Sequence, residues 1–139
     1  MNKKRLIAPT KSYSLYVPIN VDLDIDERVM SIWVQGDETL LQLSSHIRSD
    51  GEQVGASQRL SARLSNGTVH NTSDMTLHIS GCGDVAAAAG QDEQGIHWTY
   101  AYAVWPDLMI FASISHPQAL PTSTSWAIDA ICSIRRILQ

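Results

Sequence analysis

Between Gly95 and Ser115 the chain reads GIHWTYAYAVWPDLMIFASIS, two alternating apolar runs on either side of Pro106–Asp107. Proline presets the backbone angle for the first turn position, and alternating runs around a short connection are the pattern of a β-hairpin. With Pro106 and Asp107 at the turn centre, Trp105 opposes Leu108 and every pair outward is fixed. Ala103 then faces Ile110, Ala101 faces Ala112 and Thr99 faces Ile114. On the other side Val104 meets Met109, Tyr102 meets Phe111, Tyr100 meets Ser113 and Trp98 meets Ser115. A slip of one residue would pair small aliphatic positions with rings, so the pattern selects this register. Both faces of the hairpin are apolar, and each needs a cover. A helix on each face satisfies the physics. An aromatic face left partly open would instead be a docking surface.

The remaining elements follow from periodicity. Tyr13–Pro18 (YSLYVP) reads as a strand stopped by proline. In VDLDID, Val21, Leu23 and Ile25 alternate strictly with Asp22, Asp24 and Asp26, a half-buried strand with an acidic face. RVMSIWVQ and TLLQLSSHI form the next pair. The period then changes: Ala56, Leu60 and Leu64 recur every four residues, which predicts an amphipathic helix over about 53–65. Ser49 or Asp50 offers a cap, Asn66–Gly67 a left-handed stop, and Arg59 and Arg63 lie on the wet side. MTLHIS reads as a strand. GCGDVAAAAGQ does too, its alanines facing large neighbours despite their helix propensity. From Pro121 to about residue 138, Ala127, Ala130, Ile131, Ile134, Ile137 and Leu138 make one stripe of a closing helix. Strands, helix, strands, helix is the order of an α+β domain with a mostly antiparallel sheet.

At 139 residues the chain is long enough to bury a core without staples. No apolar run approaches the ~18 residues of a membrane span, and LIAP is too short for the apolar core of a secretory signal. The expectation is a soluble, cytoplasmic protein with no membrane partner; the sequons NGT and NTS would matter only in a secretory setting. Charge is uneven. Four of the ten basic residues, Lys3, Lys4, Arg5 and Lys11, stand in residues 1–11, which read as a flexible arm ahead of a single domain over 12–139. That body carries the other six bases against all fourteen acids, a net of −8. An acidic body argues against nucleic acid, which needs a basic stripe, and suits a cationic partner.

Catalytic signatures are missing. There is no phosphate loop, no GxSxG and no HExxH. Asp22, Asp24 and Asp26 have the opening spacing of a calcium loop, but its sixth and twelfth positions hold Glu27 and Trp33 instead of glycine and glutamate. No metal or cofactor is therefore expected. Cys132 reads as a small buried hydrophobe. Cys82, in GCG, is the one candidate nucleophile, with His78 or His97 as its base. The candidate partner-binding residues are Trp98, Tyr100, Tyr102, Met109 and Phe111, with Asp22, Asp24 and Asp26 as an acidic strip.

The strand SLYVP with its terminal valine–proline step, the mid-chain helix, the alternation in WTYAYAVW and the closing AICSIRRI resemble the PsbP-like superfamily. That group includes DcrB-type lipoproteins and small bacterial proteins encoded beside secretion systems. The likeness is one of layout over most of the chain; where the family usually has glycine–tryptophan after the first proline, Pro18 is followed by INVDLD. The resemblance implies non-enzymatic work: an accessory subunit, an adaptor for a secreted effector, or an immunity protein that blocks a basic toxin. A small-ligand carrier or enzyme with a pocket between sheet and helix is an alternative, as is a homodimer through the aromatic face.

Overall fold

The computed structural model describes residues 3–49, 52–117 and 121–138, with only the backbone of 121–125. It is an α+β fold with antiparallel sheets. The strands are β1 (Lys4–Ile7), β2 (Tyr13–Pro18), β3 (Val21–Asp26), β4 (Val29–Val34), β5 (Leu40–Ile47), β6 (His70–Met75), β7 (Asp84–Gln91), β8 (His97–Trp105), β9 (Leu108–His116) and β10 (Arg135–Arg136). Two helices, α1 (Ala56–Asn66) and α2 (Pro121–Cys132), complete it. Seven strands form one sheet in the order β3-β4-β5-β9-β8-β7-β6, and β1-β2-β10 form a second. The β8–β9 hairpin has the register expected from its turn, from Trp105 opposite Leu108 to His97 opposite His116.

The core lies between the two sheets. Tyr13, Leu15 and Val17 of β2 pack with Ile32, Leu41, Leu43, Ile110 and Ile114 of the large sheet and with Ala127, Ala130 and Ile131 of α2. The aliphatic hairpin face is part of this core, and its alanines let the covering elements approach closely. The cover reaches Val21, which is buried, and stops short of Ile25, which is 60% exposed. The apolar side of VDLDID is thus wet at its far end.

Four expectations change. The basic segment is not a free arm: Lys4–Ile7 is strand β1, paired with β2, and the Arg5 guanidinium donates to the Val21 carbonyl at 3.2 Å. β2 would otherwise leave an unpaired edge, and its backbone groups draw the segment in. The closing helix ends at Cys132, six residues short of the expected 138. The Ser133 hydroxyl accepts the Tyr16 N–H at 2.8 Å and donates to the Ala130 carbonyl at 2.7 Å. Arg135–Arg136 then pair with Ser14–Tyr13 on the other edge of β2, and Arg136 bonds both oxygens of Asp107. Ile134 is buried there as part of a strand connection, and Leu138 is exposed.

The mid-chain helix starts at Gly55, whose N–H is bonded by the Gln58 side chain at 2.9 Å, while the Ala56 N–H is capped from afar by Asp84 at 3.1 Å. Asp50 lies outside the described residues. Gly67 is extended, not left-handed. Finally, MTLHIS is not a strand. The partner of β7 is His70–Met75, and Leu77 and Ile79 anchor a connection into the core.

Candidate functional site

In an antiparallel sheet, paired residues share a face. Following the pairs across the large sheet therefore traces what stands beside each aromatic ring. One row runs Asp22, Trp33, Leu40, Ser115, Trp98, Gly90. The next runs Asp24, Ser31, Gln42, Ser113, Tyr100, Ala88. A third runs Asp26, Val29, Ser44, Phe111, Tyr102, Ala86. The acidic strip and the aromatic cluster thus occupy one face, four strand spacings apart, or about 19 Å at ~4.8 Å each.

Helix α1 covers only part of this face. It packs on β7 and β8, where Ala56 and Leu60 meet Ala88, Tyr102 and Val104. Tyr102 is 5% exposed and belongs to this second core. Trp98, Tyr100, Met109 and Phe111 are half-buried, as is Trp33, and Asp22, Asp24 and Asp26 are exposed. The aromatic face is therefore covered in part. Tyr102 lies under the helix, Tyr100, Met109 and Phe111 pack half-buried at its border, and Trp98 with strands β3, β4 and β5 extends beyond it.

Arg63 marks the border. From α1 its Nε donates to the Tyr102 hydroxyl at 2.7 Å, and its guanidinium lies 3.8 Å from the centre of the Phe111 ring. Tyr102 and Phe111 contact at 4.8 Å between ring centres, Tyr100 and Phe111 at 5.7 Å, and Trp98 and Tyr100 at 5.9 Å. A cation over a ring contributes roughly 0.5–1 kcal/mol at exposed sites, so Arg63 ties the helix to the rings. It also divides two hollows. One, about 250 Å³, lies over β4, β5 and β9 among Val29, Gln42, Ser44, Phe111 and Ser113. The other, about 470 Å³, lies beside α1 among Arg59, Asn66, Thr68, Tyr100 and Tyr102. Burial pushes the Tyr100 phenol pKa up, partly opposed by the Arg63 charge. The Trp98 indole donates to Asp92 at 3.0 Å, which holds that carboxyl below its ordinary value and pins the β7–β8 turn.

Arg63, Trp33, Gln42 and Ser113 were not among the expected site residues. Their signal was present only in part. The β8–β9 register places Ser113 beside Tyr100, but Trp33 and Gln42 join the face because β5 pairs with β9, far from it in sequence. Arg63 reads from periodicity as solvent-facing; its reach back to the rings is a tertiary contact.

The structure does not bring Cys82 and His97 together. The Cys82 thiol donates to the carbonyls of Asp84 and Val104 at 3.5 Å, and burial raises its pKa, the opposite of thiolate activation. Cys82 thus sits at the Val104 end of β8. His97 begins that strand seven residues away, about 23 Å at ~3.3 Å per residue. His97 instead stacks on His116, with ring centres 5.4 Å apart. In strand β3 alternate carboxylates stand ~6.7 Å apart in a row, which spreads Asp22, Asp24 and Asp26 along the strand instead of converging them on one point. Among the described residues no group of three or more His, Cys, Asp or Glu is placed to hold a metal ion, and no helix is long and apolar enough to cross a membrane.

No family model matches this sequence, and no curated protein does. Among solved structures, the chain is similar in fold to a crystal structure from Bacteroides thetaiotaomicron VPI-5482, with a TM-score of 0.68 at 14% identity. The match covers 97% of this chain and 48% of that one, so the chain spans about half the length of its structural neighbour. At this identity the likeness concerns fold alone.

Proposed function

We propose that the chain is a non-enzymatic, cytoplasmic protein-binding module whose docking surface is the sheet face bearing Trp33, Trp98, Tyr100 and Phe111 and edged by Asp22, Asp24 and Asp26. One observation carries this reading: the strand register places rings and carboxylates on one face, and α1 buries Tyr102 but leaves Trp98, Tyr100 and Phe111 only half-buried. Half-buried aromatic residues surrounded by serine and glutamine, with a charged edge, have the make-up of an interface with an apolar centre and polar rim. The carboxylates select a basic partner and accelerate its approach. An immunity protein against a basic toxin, or an adaptor for a basic secreted effector, is the role that fits this chemistry. The PsbP-like layout inferred from the sequence supports the same reading through the non-enzymatic character of that group.

Co-purification from the source cell tests it. A basic protein captured by the wild-type chain, lost on Trp98→Ala with Tyr100→Ala and weakened by Asp22→Lys with Asp24→Lys, is the expected outcome. Binding should also weaken as salt rises. Unchanged capture by both folded double variants would overturn the proposal. Sedimentation of the isolated chain separates the homodimer alternative, which predicts self-association that the aromatic double variant abolishes.

A further inference from the structure

The opposite face of the large sheet ends in a row of different chemistry. Along β8 and β9 the core-facing positions are Thr99, Ala101, Ala103, Ile110, Ala112 and Ile114. At the mouth of that core the next row is Gln91, His97 and His116, on three adjacent strands. The two imidazoles are directly opposed across an antiparallel pair, stacked with their planes 15° apart and centres 5.4 Å apart. The Gln91 amide lies 2.9 Å from the His97 Nε2. All three side chains are half-buried, held by the sheet yet reachable from solvent. His70 continues the row on β6 but turns toward Glu93, 3.9 Å away.

We propose that His97 and His116 form a binding site for a divalent transition metal of the copper–zinc–nickel class, with Gln91 as the third group. Metal–imidazole bonds of about 2.0–2.1 Å at a tetrahedral angle need nitrogens roughly 3.3 Å apart. The nitrogen lone pairs lie in the ring planes, so both imidazoles must rotate out of the stack, from ring centres 5.4 Å apart, until one nitrogen of each points at a common centre. Each neutral imidazole gives one nitrogen lone pair; that of His97 Nε2 faces the Gln91 amide nitrogen at 2.9 Å, a hydrogen bond that is given up when Nε2 takes the metal. The Gln91 amide, turned to present its oxygen, takes a third position or orients His97 from behind, and water fills the rest. The Asp37 oxygens accept the Trp126 indole N–H at 3.1 Å and the Thr39 N–H at 2.9 Å. Asp92, next to Gln91, is likewise occupied, by Trp98, Gln94 and Ile96. The strand framework fixes the two histidines at directly opposed backbone positions without a metal, so the rearrangement is confined to side chains. This site is independent of the docking face, which lies on the other side of the sheet.

Calorimetric titration of the untagged full chain with Cu2+, Zn2+ and Ni2+ salts tests the proposal. We expect one metal per chain, with copper bound tightest, following the general order of divalent affinities. His97→Gln and His116→Gln should each weaken binding by more than about 100-fold, and Gln91→Ala by about tenfold, the lower range for an outer partner. His46→Gln and His78→Gln should leave it unchanged. If a variant fails to fold, the wild-type chain decides: substoichiometric Cu2+ should broaden the imidazole resonances of His97 and His116 before those of the other three histidines. No saturable binding at millimolar metal, binding unaffected by both His→Gln changes, or equal broadening of all five rings would overturn the site.

Discussion

Trp98 and Tyr102 stand on the same strand and the same face, four residues apart, yet the fold assigns them opposite roles. Tyr102 is 5% exposed, lies under Ala56 and Leu60 of α1, and bonds Arg63 through its hydroxyl. Removing a buried aromatic side chain costs about 3–5 kcal/mol through lost transfer energy and the cavity left behind. The hydroxyl contributes little of this, because Arg63 is exposed: a hydrogen bond nets about 0.5–1.5 kcal/mol, and solvent screening favours the low end. Tyr102→Ala should therefore cost about 3–5 kcal/mol, and Tyr102→Phe less than ~1 kcal/mol. Trp98 is half-buried and has no helix over it. Its truncation loses part of a ring contact and the indole bond to Asp92, together about 1–2 kcal/mol. For a chain of this size one kcal/mol moves the melting temperature by about 3 °C. Tyr102→Ala should thus melt roughly 10–15 °C lower, and Trp98→Ala only ~3–6 °C lower. Urea unfolding followed by far-UV circular dichroism measures both. The assignment of α1 as a cover that buries Tyr102 and leaves Trp98 outside is refuted if Trp98→Ala costs as much as Tyr102→Ala, or if Tyr102→Ala costs under ~1 kcal/mol.

Other outcomes follow from single contacts. A methyl group on Gly90 would stand 2.6 Å from the His70 carbonyl oxygen and 2.6 Å from Val69 Cγ1, so Gly90→Ala should destabilise by about 1–3 kcal/mol in calorimetry and loosen β6. Arg48, its side chain 8% exposed, donates to the carbonyls of Trp105, Glu52 and Val54 and pairs with Glu52; Arg48→Ala should cost about 2–3 kcal/mol and speed amide exchange at Val54–Ala56. Asp92 is held below its ordinary 3.8 by the Trp98 indole N–H first and the Ile96 and Gln94 N–H groups next, against a burial effect that raises it. A depressed carboxyl adds stability above its unfolded pKa and loses it as pH falls through the folded one. Stability and Trp98 fluorescence should therefore change below about pH 4, and Asp92→Asn should flatten that acid limb. Asp107 is likewise lowered by its bond to Arg136, so Asp107→Asn should release β10, seen as faster exchange at Arg135 and Arg136.

Elements whose contacts are local were the legible ones. The β8–β9 hairpin was readable to the residue because proline, turn length and alternating side chains constrain one register. The helix over Ala56, Leu60 and Leu64 was readable from its period, but its start was not. Its cap is Asp84, twenty-eight residues away, where a reader of the sequence looks to Ser49 or Asp50. The apolar stripe to Leu138 looked helical to the end because nothing in SIRRIL breaks a helix. The unpaired edge of β2 and the carboxylate of Asp107 compete for Arg135 and Arg136, and win.

The sequence by itself therefore determined the hairpin, its aromatic and aliphatic faces, the α+β class and the acidity of the body, because alternation, turn chemistry and charge act between near neighbours. Only the tertiary structure decided what covers the aromatic face. That answer depends on β5 choosing β9, on α1 packing mainly on β7 and β8, and on Arg63 folding back over Phe111. Such choices are settled by burial and hydrogen bonding between segments tens of residues apart, and no local pattern encodes them.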